Sequence, residues 1–321
     1  MKSIFINKNS QVRSGWKIAS TWLSFYFSTN LITAIIMTIY MFIMIFINKA
    51  DHQYISNFLA NLKTDGLKSD LMMFFNSIQC ICMIFFVALF WKVYDKRPIR
   101  DIGFINIKKG YKDLLKGLAF GSISVILVFI ILLTSKNISL QNSLLSPNFN
   151  SSLLTGLILF ILVGINEEMF ARGYCITVLK QTGNKWVVII VSSIIFSLMH
   201  SLNPSMSFLS YLNLFLFAVL AAYMFIKSNN LWLSIGYHIT WNYFEGNVFG
   251  FQVSGLATQS LYTLNTPAQN IITGGNFGPE GGLVVTFITL LGIVYIWKFY
   301  KPQALDLNDT IELKEPCMNN N

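Results

Sequence analysis

The chain has 321 residues, of which 54% are hydrophobic and only 12% are charged, and its net charge is +9. A soluble domain carries about 25% charged residues, so this chain has too few to cover a surface that faces water. The composition excludes a disordered protein, an ordinary cytosolic enzyme and a nucleic-acid-binding domain, and predicts a polytopic membrane protein. The positive charges lie between long apolar runs, which indicates membrane topology rather than a nucleic-acid partner.

The apolar runs predict an all-α fold, a polytopic integral membrane helix bundle of about eight transmembrane helices. Spanning the hydrocarbon layer takes about 20 apolar residues, and several of the runs are shorter or contain Asn, His or Glu. Such spans are typical of helices that face a protein interior or a water-filled cavity. In chain order the predicted spans are Trp22–Ile47, Leu71–Trp91, Gly117–Leu133, Leu153–Leu179, Trp186–Met199, Phe208–Ile226, Leu231–Val248 and Gly282–Trp297.

The basic residues predict the orientation of these spans. With a cytoplasmic N-terminus, 19 of the 23 basic residues lie on the inner side, and only Lys49, Lys63, Lys68 and Lys136 lie outside. This is the bias that the positive-inside rule expects, and it favours an even number of spans with both termini cytoplasmic. The richness in Ile, Asn, Lys and Phe favours a bacterial cell membrane as the location.

Charged side chains within the spans are the first candidates for function, because each costs about 3 kcal/mol or more at membrane depth. The fourth span contains Glu167, Glu168 and Arg172, and the fifth ends at His200. The seventh contains His238, Asn242 and Glu245, of which Glu245 is expected at the external end of the span.

The fourth span contains two neighbouring carboxylates with different expected partners. Side chains of adjacent residues on a helix point about 100° apart, so the two cannot meet the same group. Glu168 and Arg172 are four residues apart in the order that favours an ion pair. Glu167 has no such partner, and a desolvated, unpaired carboxylate suits a general base or acid. An inert, solvated Glu-Glu pair at the membrane interface is the alternative.

Two chemistries fit this set of residues. In the first, Glu167 activates a water held by His200, while His238 and Asn242, which stack on one helix face, stabilise an oxyanion. In the second, Glu167, His200 and His238 bind Zn²⁺. The zinc hypothesis lacks an H-E-x-x-H motif, so we favour the version without a cofactor. Both predict hydrolysis of a peptide or amide bond inside the membrane. A catalytic Cys175 is disfavoured, because free cysteines are mostly buried hydrophobes.

These residues resemble three motifs of the CAAX protease and bacteriocin-processing (Abi, type II CAAX prenyl endopeptidase) family. The first motif, E-E-x-x-x-R, is matched by Glu167, Glu168 and Arg172. The second, F-x-x-x-H, is matched by Phe196 and His200, and the third, H-x-x-x-N, by His238 and Asn242. The resemblance covers roughly residues 100–250.

The resemblance implies an all-helical integral membrane peptidase. It implies that Glu167 is the water-activating base, His200 its partner, and His238 with Asn242 the oxyanion site, while Glu168 and Arg172 support or assist. We therefore divide the chain into residues 1–99, N-terminal transmembrane helices and a basic connector, and residues 100–250, a CAAX-protease-like catalytic core. Residues 251–321 contain an external loop that could cover a cavity, the last transmembrane helix and a polar cytoplasmic tail.

The function predicted is intramembrane proteolysis of a membrane-associated, prenylated or bacteriocin-like peptide, with the peptide and the lipid bilayer as partners. A non-enzymatic membrane protein of the same fold, for immunity or scaffolding, is the alternative. A transporter or channel with a Glu and His proton relay is less favoured, because the chain shows no inverted repeat.

Overall fold

The computed structural model describes residues 4–7, 9–265 and 270–301. Within these ranges the fold is all-helical, with isolated β-bridges and no strand, which confirms the predicted fold class. The helices are α1 (Ser14–Phe42), α2 (His52–Asp65), α3 (Asp70–Phe90), α4 (Ile107–Thr134), α5 (Ser152–Glu168), α6 (Thr177–Leu179), α7 (Lys185–Met199), α8 (Phe208–Ser228), α9 (Trp232–Tyr243) and α10 (Leu283–Phe299). The tail predicted after the last span, from residue 302 on, lies outside the described residues.

Five helical stretches of the described chain are long and apolar enough to cross a membrane. They are Ser14–Ile47, Asp70–Asp95, Ile99–Thr134, Ser152–Thr182 and Phe208–Ser228. Two further apolar helices, α7 and α10, are shorter. Each of the eight predicted spans contains a helix, but the count of eight membrane crossings is not confirmed.

The helix of the seventh predicted span, α9, differs most from a membrane-crossing helix. It has 12 residues, about 18 Å at 1.5 Å per residue, against a hydrocarbon layer of about 30 Å. Ten of its residues are buried inside the protein. Its apolar character therefore fits a core helix surrounded by other helices, and a π-helical turn, Phe244–Val248, extends it at the end.

Glycines allow α4 and α9 to lie backbone against backbone. A Cβ atom at Gly117 would lie 2.1 Å from the carbonyl oxygen of Leu233, and one at Gly236 would lie 2.4 Å from that of Leu114. Thr240 bridges the two helices, with its Oγ1 donating to the carbonyl oxygen of Leu118 at 2.8 Å. This small-residue contact is typical of membrane helix packing, and it sets the position of α9 in the bundle.

The segment between α9 and α10 folds back onto the bundle. Phe251, Val253 and Phe277 are buried in it. The carboxylate of Glu280 accepts hydrogen bonds from Trp241 Nε1 at 3.1 Å and from the backbone N–H of Ser254 at 2.9 Å. The described parts of the predicted loop are thus tied to α9 through Glu280.

Candidate active site

A cavity of about 390 Å³ lies between α1, α3, α5, α7, α8, α9 and the segment after α9. Four of the six sequence-predicted site residues line it: Glu167, His200, His238 and Asn242. The other two, Glu168 and Arg172, lie behind its wall and are almost fully buried. The bundle thus brings together residues that are up to 75 positions apart in the chain.

The Glu168–Arg172 ion pair predicted from the spacing forms. Arg172 Nη1 lies 3.2 Å from Glu168 Oε1, and both side chains are at most 1% exposed. The guanidinium also lies over the ring of Phe196, 4.3 Å from its centroid. Glu168 ends α5, and Arg172 lies in the π-helical segment Met169–Ile176 that continues it. Because charges this deeply buried are costly unless paired, the pair keeps Glu168 ionised.

Glu168 also holds His238. The His238 Nδ1 atom lies 3.0 Å from Glu168 Oε1, and an ionised carboxylate can only accept, so Nδ1 carries a proton. The ring packs edge-on against Phe217, with centroids 5.0 Å apart. These contacts direct Nε2 of His238 to Glu167 Oε2, at 3.8 Å.

His200 meets the same carboxylate oxygen from α7. It caps the C-terminus of that helix, and its Nδ1 lies 2.9 Å from the carbonyl oxygen of Phe196. The carbonyl is an acceptor, so the Nδ1–H donates and Nε2 is left for other partners. Nε2 of His200 lies 3.8 Å from Glu167 Oε2. One oxygen of Glu167 therefore lies near two imidazole nitrogens, at a separation that leaves room for a bridging atom.

Asn242 lies one helical turn after His238 on α9. It is 5% exposed and lines the cavity. Its side-chain amide makes no hydrogen bond to any residue that the structure describes, so its N–H groups are available to a bound molecule.

Glu167 Oε2, His200 Nε2 and His238 Nε2 are also the atoms that could hold a divalent metal ion. Nitrogen and oxygen donors suit zinc, and hydrogen-bonded Nδ1 atoms are typical of metal-binding histidines. Donor atoms around tetrahedral zinc are about 3.3 Å apart, against 3.8 Å for both oxygen–nitrogen pairs here. Among the described residues no group of three His, Cys, Asp or Glu has metal-binding geometry. Zinc would require the three side chains to move inward.

Two further residues that the sequence analysis considered, Cys175 and Glu245, lie away from the cavity. Cys175 is fully buried and does not line it. Glu245 follows α9 in the π-helical turn and is also absent from the cavity wall. Its side chain is 1% exposed, so it lies inside the protein rather than at an exposed end of the helix, because the segment after α9 folds over that end.

The sequence analysis did not identify several residues that line the cavity. They are amides on helices before the motifs and an acidic residue after them: Asn30, Asn76, Gln79 and Glu280. The three amides are neutral, and a neutral side chain within an apolar run is a weaker sign of function than a charged one. Their polarity inside apolar runs is the signal that could have identified them.

Comparison with protein families supports the motif resemblance. Residues 149–244 match the family described as Type II CAAX prenyl endopeptidase Rce1-like. No curated protein and no solved structure is significantly similar to the chain. The matched segment runs from α5 to the end of α9 and contains all six site residues. Over residues 149–244 this helical chain is therefore similar to the Rce1-like type II CAAX prenyl endopeptidases, and the match does not extend to the rest of the chain.

Proposed function

We propose that the chain is an intramembrane endopeptidase in which Glu167 activates the attacking water. The observation that carries the proposal is the position of Glu167 Oε2 in the cavity, 3.8 Å from Nε2 of both His200 and His238. Each gap is too long for a direct hydrogen bond, and we place the attacking water in the gap between Glu167 and His200. The match to an endopeptidase family supports the same reaction class.

The water lies between Glu167 and His200. It donates one proton toward Glu167 Oε2 and the other toward the Nε2 lone pair of His200, which orients its own lone pair toward the substrate carbonyl carbon. As the new C–O bond forms, one O–H bond breaks and Glu167 takes the proton. General-base catalysis of this kind contributes about 10²- to 10⁴-fold in rate.

The carbonyl oxygen of the substrate becomes an oxyanion that needs hydrogen-bond donors. Asn242 supplies an amide N–H from the same face of α9 as His238. His238 supplies Nε2–H when both its ring nitrogens are protonated. A donor placed at an oxyanion is worth about 3 kcal/mol in such sites.

The intermediate collapses when the C–N bond breaks. Glu167 returns its proton to the leaving nitrogen, so the products are an amine and a new carboxylic acid. Glu168 and Arg172 do not touch the reacting atoms. They hold the ring of His238, since the Nδ1–H donates to Glu168 and Arg172 keeps that carboxylate charged.

The substrate we propose is a membrane-associated peptide whose cleavage site is embedded in lipid or lies near its C-terminus. Prenylated and bacteriocin-like peptides are the two substrate classes that the family resemblance implies. The protein would act in a bacterial cell membrane with both termini cytoplasmic, without a cofactor and without a nucleic-acid partner.

The test compares wild type, Glu167→Ala and a deletion in the native host. Mass spectrometry of the membrane and secreted peptides should show one uncleaved precursor that accumulates in both the deletion and the Glu167→Ala strain. Ser77→Ala is the matched control, because Ser77 lies on α3, does not line the cavity and binds only the carbonyl oxygen of Met73. That strain should process the precursor normally.

The same experiment decides between enzyme and scaffold. One outcome would be that the deletion strain has a phenotype while the Glu167→Ala strain behaves like wild type and accumulates no precursor. Glu167 would then take no part in a cleavage reaction. The protein then acts as an immunity or scaffold protein with an enzyme-like fold, and the proposal is wrong.

A further inference from the structure

A second set of polar side chains lines the cavity on α1 and α3. These are Asn30 on α1 and Asn76 and Gln79 on α3. All three precede the family-matched segment 149–244, and none takes part in the proposed chemistry. Both helices belong to the membrane-crossing set.

The three amides are left with unused hydrogen-bonding capacity. The Nδ2 atoms of Asn76 and Asn30 donate to the carbonyl oxygens of Met72 and Tyr26 on their own helices, each at 2.8 Å. Their Oδ1 atoms accept no hydrogen bond from the described part of the chain. The amide of Gln79 makes no side-chain hydrogen bond there at all. The set therefore offers at least three free acceptor oxygens.

One contact places these amides near the candidate active site. Asn166 Nδ2 lies 3.1 Å from the sulfur of Cys80. Asn166 precedes Glu167 in the chain, and Cys80 follows Gln79, so Gln79 lies at the level of Glu167. Asn76 is three residues earlier, on the same side of α3 and about 4.5 Å along the axis.

Unsatisfied amides are costly at this depth. Gln79 and Asn30 are exposed side chains within membrane-crossing helices, and lipid chains cannot form hydrogen bonds with them. These side chains therefore require water or a polar ligand in the cavity as a partner.

A peptide that is about to be cleaved has the complementary need. Its main chain must be extended at the scissile bond, so its N–H groups lose their helical partners. Each unpaired N–H away from water costs several kcal/mol. Side-chain amide oxygens beside the reacting atoms are acceptors for those N–H groups.

We propose that Gln79 and Asn76, with Asn30 beside them on α1, form a binding site for the main chain of the substrate. This inference rests on the proposed peptidase function. The site recognises backbone N–H groups rather than particular side chains, and it holds the peptide in extended form next to Glu167, His200 and His238.

The test uses full-length protein in lipid nanodiscs and a defined probe. The probe is a farnesylated, fluorescently labelled tetrapeptide together with analogues methylated at one backbone nitrogen each, which lack a single N–H donor. Binding is measured in a Glu167→Gln background, so that the probe is not consumed. Cleavage is measured with Glu167 present.

Gln79→Leu and Asn76→Leu should each weaken binding of the unmethylated probe about fivefold, the effect of losing one neutral hydrogen bond. At least one methylated probe should bind the parent protein about fivefold more weakly than the unmethylated probe does. In Gln79→Leu the methylated and unmethylated probes should bind equally, because the substitution has already removed the same hydrogen bond. In cleavage the variants should raise KM and leave kcat unchanged. Ser77→Ala, on α3 but outside the cavity wall, should match the parent throughout.

Two results would overturn the inference. Equal methylation penalties in the parent and both Leu variants would show that these amides do not accept from the peptide backbone. Tighter binding in Gln79→Leu, whichever probe is used, would show that the lipid chain occupies this wall. In either case cleavage that still depends on Glu167 leaves the peptidase proposal intact. The converse result is also distinguishable. If the variants lose binding as expected but neither the probe nor any host peptide is cleaved, the peptidase proposal is contradicted and the binding site stands.

Discussion

Glu167 and Glu168 are chemically identical neighbours in very different surroundings. Glu168 is fully buried and contacts both Arg172 and His238. Glu167 lines the cavity, where its Oε2 lies 3.8 Å from Nε2 of both His200 and His238. The difference follows from the rotation of about 100° between adjacent helical residues. Their substitutions should therefore have different consequences for stability.

Glu168→Gln should destabilise the fold and reduce activity together. Removing one partner of a buried ion pair costs about 3–5 kcal/mol, because Arg172 would remain buried and charged. The check is the yield of folded protein and its melting temperature in detergent, beside the initial rate of cleavage. Glu167→Gln is the matched control and should melt like wild type. Similar melting of the two variants would refute the division of roles.

Metal removal should leave activity nearly unchanged. The two 3.8 Å separations in the candidate site are wider than a closed zinc site requires. The measurement is the cleavage rate before and after dialysis against a chelator, with metal content determined in the same samples. A complete loss of activity that Zn²⁺ restores would favour the zinc mechanism over the one proposed here.

The contact between α4 and α9 positions the helix that contributes His238 and Asn242 to the candidate site. His238 and Asn242 are both on α9, which is too short to be positioned by the membrane and depends on its neighbours. Gly117, Gly121 and Gly236 let the two backbones touch. Only a residue without a side chain fits at these positions, so the glycines help to position the helix that carries two of the candidate site residues.

Gly117→Ala should destabilise the protein by about 3 kcal/mol, the upper range for an overpacked interior, although alanine is the better helix former. Its Cβ would lie 2.1 Å from the Leu233 carbonyl oxygen, so α9 must shift and activity should fall with stability. Thermal unfolding and cleavage rate report both. Gly15→Ala is the control, since nothing lies within 4 Å of a Cβ there. Equal stability of the two variants would show that the contact is not tight.

The presence of the helices was predictable from the sequence, but their local geometry and their surroundings were not. Every predicted span contains a helix, because long apolar runs are a strong signal. The π-helical segment Met169–Ile176, directly after Glu168, was not foreseen, since periodicity in sequence assumes 3.6 residues per turn. The ion pair formed nonetheless. An interior-facing position was expected for spans that contain Asn, His or Glu, but the short length and near-complete burial of α9 were not, because an apolar run looks the same in sequence whether lipid or protein surrounds it.

The cavity combines distant parts of the chain, and this limited what the sequence could predict. The motif residues from α5, α7 and α9 were identified, since charged groups and histidines are rare inside apolar helices. The wall from α1 and α3, with Asn30, Asn76 and Gln79, required the tertiary packing to be known. So did Glu280, which returns to the site only because the segment after α9 folds back and is held by Trp241 and Ser254.

The most direct test of the central claim is a single-turnover cleavage rate. Wild type and Glu167→Gln are each prepared in lipid nanodiscs, and their melting temperatures show that both are folded. Each protein is then mixed, in excess, with the precursor identified in the host or with the farnesylated probe. Loss of the general base predicts a rate lower by about 10²- to 10⁴-fold in Glu167→Gln. A rate within about tenfold of wild type would contradict water activation by Glu167.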